Sequence, residues 1–434
     1  MKTTILYLLF QFFAFQVTYA QTWLPLGEGV DNGGGFGGYV NTVAFDSIHN
    51  YLYVGGNFSY AGSNPANSIA IWDGLNWISL DINYYGDYSS FLNYHDTILV
   101  ADLSGRILKV YEETIVDQLP SLKGSIGTLL IYNNDLYACG DFSADYEDHI
   151  LNNIARWDGK TWISLGGGIT SGYVNTMCVY NGNLVVGGRF NIAGDRPVNN
   201  IATWNGKQWS SLDSGITDSR SQADVNALAV FQGELYVGGS FDSAGAFYNE
   251  DIAKWNGNEW SSVGDKPIMG YILCFTLKDS SLYVGGAFES IGKRTARWDG
   301  NQWFDLDLTS SGFVKVLGSN KVDLIAGGSF TYGTNGIRLN NIAQYTTVTN
   351  INGFVKCSGF YIYPNPATDQ LHIEAPKIHN ATVTLLNLFG QVVLQQQISD
   401  NATIDISTLA RGMYLVNILD ESGDVVQKGK VVKE

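Results

Sequence analysis

A unit of roughly 47 residues recurs from Trp23 to Tyr345, and this period constrains the fold more than any other property of the chain. One clear copy reads Val225-Asn-Ala-Leu-Ala-Val230, Leu235-Tyr-Val-Gly-Gly-Ser-Phe241 and Ile252-Ala-Lys-Trp-Asn-Gly-Asn-Glu-Trp260. Short alternating strands with turn residues at fixed offsets describe a β-propeller blade. The unit ending at Trp209 parses into strands at 174–179, 184–188, 201–204 and 209–212. Asn205-Gly206 and its counterparts Asp73-Gly74, Asp158-Gly159, Asn256-Gly257 and Asp299-Gly300 are hairpin turns, because both turn residues need positive φ.

Glycine pairs recur at 55–56, 187–188, 238–239, 285–286 and 327–328, with Cys139-Gly140 in the same place. Glycine weakens a strand, so its recurrence at one position points to a bulge or a close backbone approach near a crowded centre. The phenylalanine after each pair and the paired tryptophans, such as Trp157 and Trp162, read as packing between blades. The unit after Trp77 lacks the Gly-Gly pair and the tryptophan but still offers four strands up to Val116. Counting it gives seven blades. The chain enters the repeats with Trp23-Leu-Pro-Leu-Gly27, which matches a fourth strand, and the last unit stops after its third, Ile342–Tyr345. The N-terminal strand is therefore expected to complete the last blade and remove its free edge.

The net charge of −16 would repel phosphate backbones, so nucleic acid is excluded as a partner. The histidines at 49, 95, 149, 372 and 379 have no metal-type spacing, and neither a metal nor a cofactor is expected. Cys139, Cys178 and Cys274 fall at different repeat positions and read as small buried thiols, with a Cys139–Cys178 bridge between neighbouring blades left open. Lys2, the apolar run Ile5–Val17 and Thr18-Tyr19-Ala20 form a secretory signal peptide over 1–20. No later stretch has the length and apolarity of a transmembrane helix.

In an up-and-down blade the short turns share one face and the long loops the other. Binding residues gather on loops held by a rigid scaffold, so the long-loop face is the candidate site. Its candidate residues are Asp145, Tyr146, Asp148, Arg196, Arg220, Tyr248 and Arg294. No nucleophile elbow, phosphate-binding loop or zinc-protease motif appears, so no catalytic residue is assigned. An enzyme acting on extracellular polysaccharide remains the alternative, with Asp145, Asp148, Arg196 and Arg220 as first candidates; a structural surface component is the third reading.

The Gly-Gly and Trp unit resembles the kelch-type propellers. Its fuller string, Val-Gly-Gly-x-Phe through Asn-x-Ile-Ala-x-Trp, is similar to repeats of secreted bacterial surface propellers. The copper oxidases among kelch propellers use Tyr and His ligands, and here the loops offer only His149.

After a linker at 346–359 the pattern changes to short alternating strands over 360–434, which suggests a small immunoglobulin-like β-sandwich. Tyr363-Pro364-Asn365-Pro366-Ala367, Leu386–Gln391 with Gly390, Leu409–Leu415 with Gly412 and Tyr414, and the terminal run with Lys428 and Lys430 follow in order. This segment resembles the type IX secretion C-terminal sorting domain of Bacteroidetes-type bacteria. The resemblance implies type IX machinery and its sortase-like peptidase as partners, with release or attachment to an anionic lipopolysaccharide. The expected organisation is thus a signal peptide, a propeller over 21–345, a linker and a sorting domain. The expected function is an exported, non-enzymatic propeller, secreted or surface-attached, that binds a glycan or protein through its long-loop face.

Overall fold

A computed structural model describes residues 19–349, apart from 35, 36, 81–85, 267 and 335, and residues 361–433, apart from 364–366, 375–380, 388–390, 400–401 and 420–424. The described residues form strands and turns, with no helix. The sequence motif residues Pro364, Asn365, Pro366 and Gly390, the first 18 residues of the signal peptide and most of the linker lie outside them. The chain divides into a large unit, Gln21–Val348, and a second unit that contains Thr349–Glu434.

Besides smaller sheets in its loops, the described residues of the large unit form seven four-stranded sheets. Their first strands are Tyr39–Asp46, Tyr88–Tyr94, Leu122–Tyr132, Gly172–Tyr180, Asp224–Phe231, Gly270–Lys278 and Phe313–Ser319. Each first strand neighbours the next, and the seventh also neighbours the first. The seventh sheet takes Phe313–Ser319, Leu324–Ser329 and Ile342–Thr349 from the end of the unit and Tyr19–Pro25 from its beginning. The degenerate repeat forms a complete sheet, Tyr88–Tyr94, Thr97–Asp102, Ile107–Tyr111 and Thr114–Leu119.

The glycine pairs have two separate steric causes. A Cβ on the second glycine would meet a backbone carbonyl of the first strand: Tyr39 O at 2.1 Å from Gly56, Tyr173 O at 2.2 Å from Gly188, Asp224 O at 2.0 Å from Gly239. There the first strand carries a bulge, with its register shifting between Val40 and Thr42, Val174 and Thr176, and Val225 and Ala227. A Cβ on the first glycine would instead strike the neighbouring sheet: Phe91 at 2.4 Å from Gly55 and Val225 at 2.4 Å from Gly187. The pair is thus needed for space, where strand backbone and the next sheet close in together.

The tryptophans tie successive sheets. Trp77, Trp209 and Trp303 donate their indole N–H to the carbonyls of Leu26, Leu165 and Val263, the residues that end the preceding repeat. Trp162 does the same to Pro120. Each buries a large ring and satisfies its one polar atom. Between the sheets lie separate apolar clusters, such as the one joining Cys139 and Tyr137 to Val174, Phe190 and Trp209. Cys139, Cys178 and Cys274 are free thiols, so the bridge left open between Cys139 and Cys178 does not form. Cys139 replaces a first glycine and is fully buried in that cluster.

The long loops are themselves built. Val30–Asp31 pairs with Tyr60–Ala61, which pairs with Asn64–Pro65. Ile216–Thr217, Ser243–Ala244 and Phe247–Tyr248 repeat the arrangement. Each small sheet joins the loop entering one large sheet to the hairpin between its second and third strands.

The second unit contains a three-stranded sheet (Tyr361–Tyr363, Gln370–Glu374, Ala402–Asp405) and a four-stranded sheet (Val392–Ile398, Ala381–Leu386, Gly412–Leu419, Val425–Lys433). Leu371, Ile404, Val383, Leu385, Val416 and Val431 share one buried core between them.

Candidate functional site

The first strands begin on the face that carries the long loops, and their opening residues surround a cavity of about 770 Å³. All seven sheets contribute to it, so it lies where their first strands converge. Tyr39 and Asn41, Tyr173 and Asn175, Tyr271 and Leu273, and Phe313 and Lys315 stand at matching places in four first strands, on either side of a buried Val or Ile. In a strand, alternate residues share a face; the intervening Val or Ile goes to the core while its two neighbours turn to the cavity.

Two carboxylates clasp neighbouring sheets at this mouth. Tyr39 donates its hydroxyl to Asp87 at 2.6 Å and Asn41 donates its amide to the other oxygen at 2.7 Å. Half the ring away, Tyr173 and Asn175 do the same to Asp224, at 2.9 and 2.7 Å. Arg189 adds a third contact to Asp224 at 2.9 Å and lies over the Tyr173 ring. Burial, and then the adjacent Asp87, push the Tyr39 hydroxyl up to about 12. Burial and Asp224 do the same for Tyr173, also to about 12. Both phenols are therefore neutral donors at any ordinary pH.

Other polar groups in the cavity are uncommitted. Among the described residues, the Lys315 ammonium and the Asp141 carboxylate have no side-chain partner, and the Tyr271 ring is 58% exposed. The turn Leu103-Ser104-Gly105 of the degenerate sheet is short, and Leu103 lines the cavity on that side. Asp102, fully buried, holds this turn by accepting from Ser104 and Arg106.

The residues singled out in the sequence do stand on long loops, and none of the seven lines the central cavity. Asp145 is buried and accepts from His149 Nδ1 at 2.8 Å, which lowers the acid and raises the imidazole. Tyr146 is exposed beside it, and Asp148 pairs with Lys123. Arg196 is exposed near Asp195 at 3.5 Å, and Arg294 pairs with Glu289 at 3.0 Å. Arg220 and Tyr248 are brought together through Glu250, which lies 3.8 Å from the guanidinium and accepts from the tyrosine. Each charged group among them thus lies near a group of opposite charge on its own or an adjoining loop. The central residues carry a sequence signal of their own: Tyr-Val-Asn at 39–41 and 173–175, and an aspartate opening the next repeat at 87 and 224.

In the second unit, Gly412 has a φ of 150° at the start of its strand, where a side chain would be strained. Tyr414 is buried and donates to Ala410 O at 2.7 Å. Lys428 and Lys430 lie in the last strand, opposite Asn417 and Leu415.

Residues 361–434 match the family model of the secretion system C-terminal sorting domain. Over 73 residues the chain is 37% identical to β-agarase D of Zobellia galactanivorans, a match that takes in 17% of this chain and 15% of the agarase. Among solved structures, the extracellular domain of a protein assigned as a hybrid two-component system from B. thetaiotaomicron is similar with a TM-score of 0.50 and 14% identity, over 96% of this chain and 59% of that one. PorZ, a surface component of the type IX secretion system of Porphyromonas gingivalis, has a TM-score of 0.47 and 14% identity, over 91% of this chain and 59% of that one. The chain thus spans less than two thirds of each of these proteins. The C-terminal segment marks the protein for type IX export to the cell surface or the extracellular space.

Proposed function

We propose that the large unit is a closed seven-bladed propeller acting as an extracellular binding module, and that its long-loop face holds a glycan or a protein partner. The observation that carries this reading is the coincidence of two features on one face. The central cavity opens there, and the exposed aromatic rings Tyr60, Tyr146, Phe247, Tyr248, Tyr271 and Tyr332 stand on its loops and rim. Exposed aromatics set around a polar pit are costly to leave in water and suit a partner with both apolar faces and hydroxyls. The paired loops supply a rigid scaffold for them. The small unit, with its two sheets and a tyrosine bonded to backbone four residues upstream, fits an immunoglobulin-like sandwich that serves as the sorting signal.

A second reading has one observation in its favour. Asp87 and Asp141 both line the cavity, and glycoside hydrolysis uses a pair of carboxylates. Asp87 is held on both oxygens by Tyr39 and Asn41, which suits positioning better than proton transfer. The test is a binding screen of the mature protein against extracellular glycans and proteins, with product release measured for every hit. Saturable binding without turnover supports the module, turnover supports the hydrolase, and silence across the screen overturns both.

A further inference from the structure

We infer that the central cavity receives an anionic sugar unit, with its acidic group on Lys315. The inference rests on the glycan reading of this site and names the class of sugar. Among the described residues that line the cavity, Lys315 supplies the only cationic side chain. At the matching place the other first strands carry Asn41, Ser89, Gly127, Asn175, Asn226 and Leu273, none of them charged. The chain has a net charge of −16; in this unit Lys109, Lys123, Lys254 and Lys278 each meet a carboxylate, while Lys160, Lys207, Lys266, Lys293 and Lys321 are exposed, line no part of this cavity and pair with none among the described residues. Lys315 meets none among the described residues. Lys315 is exposed at the cavity, and a ligand carboxylate or sulfate would give its ammonium a charge-assisted hydrogen-bond partner there.

The surroundings fit the rest of a sugar. Phe313, two residues earlier on the same strand, and Tyr271, on the neighbouring first strand, offer rings to the apolar face of a pyranose. Asp141 stands on the third sheet, away from Lys315 on the seventh, and is free to accept hydroxyls. Asp87 is occupied by its clasp and offers no competing charge site. A cavity of about 770 Å³ is in the range that encloses a small ligand or the end of a longer one.

The test is calorimetric titration of the full mature protein, Lys315→Gln and Lys315→Arg with matched oligosaccharide pairs: a uronate oligomer against its methyl ester, and a sulfated galactan oligomer against its desulfated form. The expected result is at least about tenfold tighter binding of one acidic member at low salt. Lys315→Gln should abolish that preference and Lys315→Arg keep it. The pair that responds identifies carboxylate or sulfate. Equal binding of acidic and neutral members, or a preference unchanged in Lys315→Gln, overturns the inference while leaving the glycan reading intact. Failure of every oligosaccharide to bind a folded wild type overturns the glycan reading and the inference with it.

Discussion

The rings of Trp23 and Tyr345 lie 5.0 Å apart, although the two residues come from opposite ends of the large unit. The same contact joins third and fourth strands within five other sheets: 5.2 Å for Trp72–Trp77, 5.3 Å for Trp157–Trp162, 5.2 Å for Trp204–Trp209, 5.1 Å for Trp255–Trp260 and 5.0 Å for Trp298–Trp303. Trp23 also donates to Leu306 O at 2.9 Å, as Trp77, Trp162, Trp209 and Trp303 donate to the ends of the preceding repeats. One residue near the N-terminus therefore completes the last sheet in full chemical detail. Trp23→Ala is expected to cost about 3–5 kcal/mol, by cavity formation and loss of the indole bond. Calorimetry should show one cooperative transition of the large unit at lower temperature. A change under about 1 kcal/mol would mean that the ring does not depend on this strand.

The clasps give a second expectation. Asp87→Ala leaves Tyr39 and Asn41 without this acceptor, and Asp224→Ala removes the acceptor of Tyr173 and Arg189 and one of the three acceptors of Asn175. Loss of bonds to a charged group should cost about 1.5–3 kcal/mol in each case. The folded phenols titrate near 12, above the ordinary value of 10.0. Their neutral form is the one the fold favours, so this contribution is complete below pH 10 and is lost as pH rises through about 12. Carbon-13 spectra of labelled tyrosine should show both hydroxyls still protonated at pH 11, and Asp87→Ala should return Tyr39 toward its ordinary range.

A third expectation concerns an acid in an amide's place. Asn153, Asn200 and Asn341 each stand at positive φ, accept from the backbone N–H of Phe142, Phe190 or Phe330, and donate to loop carbonyls. Asp251 occupies the matching place, accepting from Phe241 N–H and Gly270 N–H. Burial raises its carboxyl to about 6, with Glu250 adding to the rise and Arg220 opposing it. The protonated form is favoured on folding, so stability is fullest below the unfolded value near 4 and is lost as pH rises through about 6. Asp251→Asn should stabilise the protein above pH 6, by on the order of 1 kcal/mol, and leave it little changed at pH 4. Unfolding midpoints in denaturant at the two pH values check this.

The bulge glycines make a fourth. Gly188→Ala places a methyl group 2.2 Å from Tyr173 O, which only backbone movement can relieve. The expected cost is about 1–3 kcal/mol, with the Tyr173–Asp224 clasp loosened in the same variant. Thermal unfolding and the Tyr173 titration should shift together.

Most of the architecture was legible because it is periodic. Asn-Gly and Asp-Gly turns and Trp pairs mark strand boundaries, Gly-Gly pairs mark the second strand, and the partial repeats at Trp23 and Tyr345 marked the joining of the ends. The degenerate unit was readable as four strands because short apolar runs survive at Ile98–Ala101 and Ile107–Tyr111 even without glycine. The central site was less legible. Candidates such as Arg196 and Arg294 stood out because they are charged residues in long loops, and loop charges are most easily paired with neighbours, as Glu289 pairs with Arg294. Tyr39, Asn41 and Lys315 lie inside strands, where periodicity assigns a face but does not say that seven strand starts converge. That convergence is a property of the ring, and no single repeat contains it.

The most direct test of the central cavity as the binding site is the affinity of Tyr271→Ala for whichever glycan or protein the wild type binds. Tyr271 is exposed, so its removal should leave the unfolding temperature unchanged. The expected result is a loss of at least about tenfold in affinity in the intact fold. Unchanged affinity in Tyr271→Ala, with the ligand still held by the face, would contradict the account and move the site away from the ring's centre.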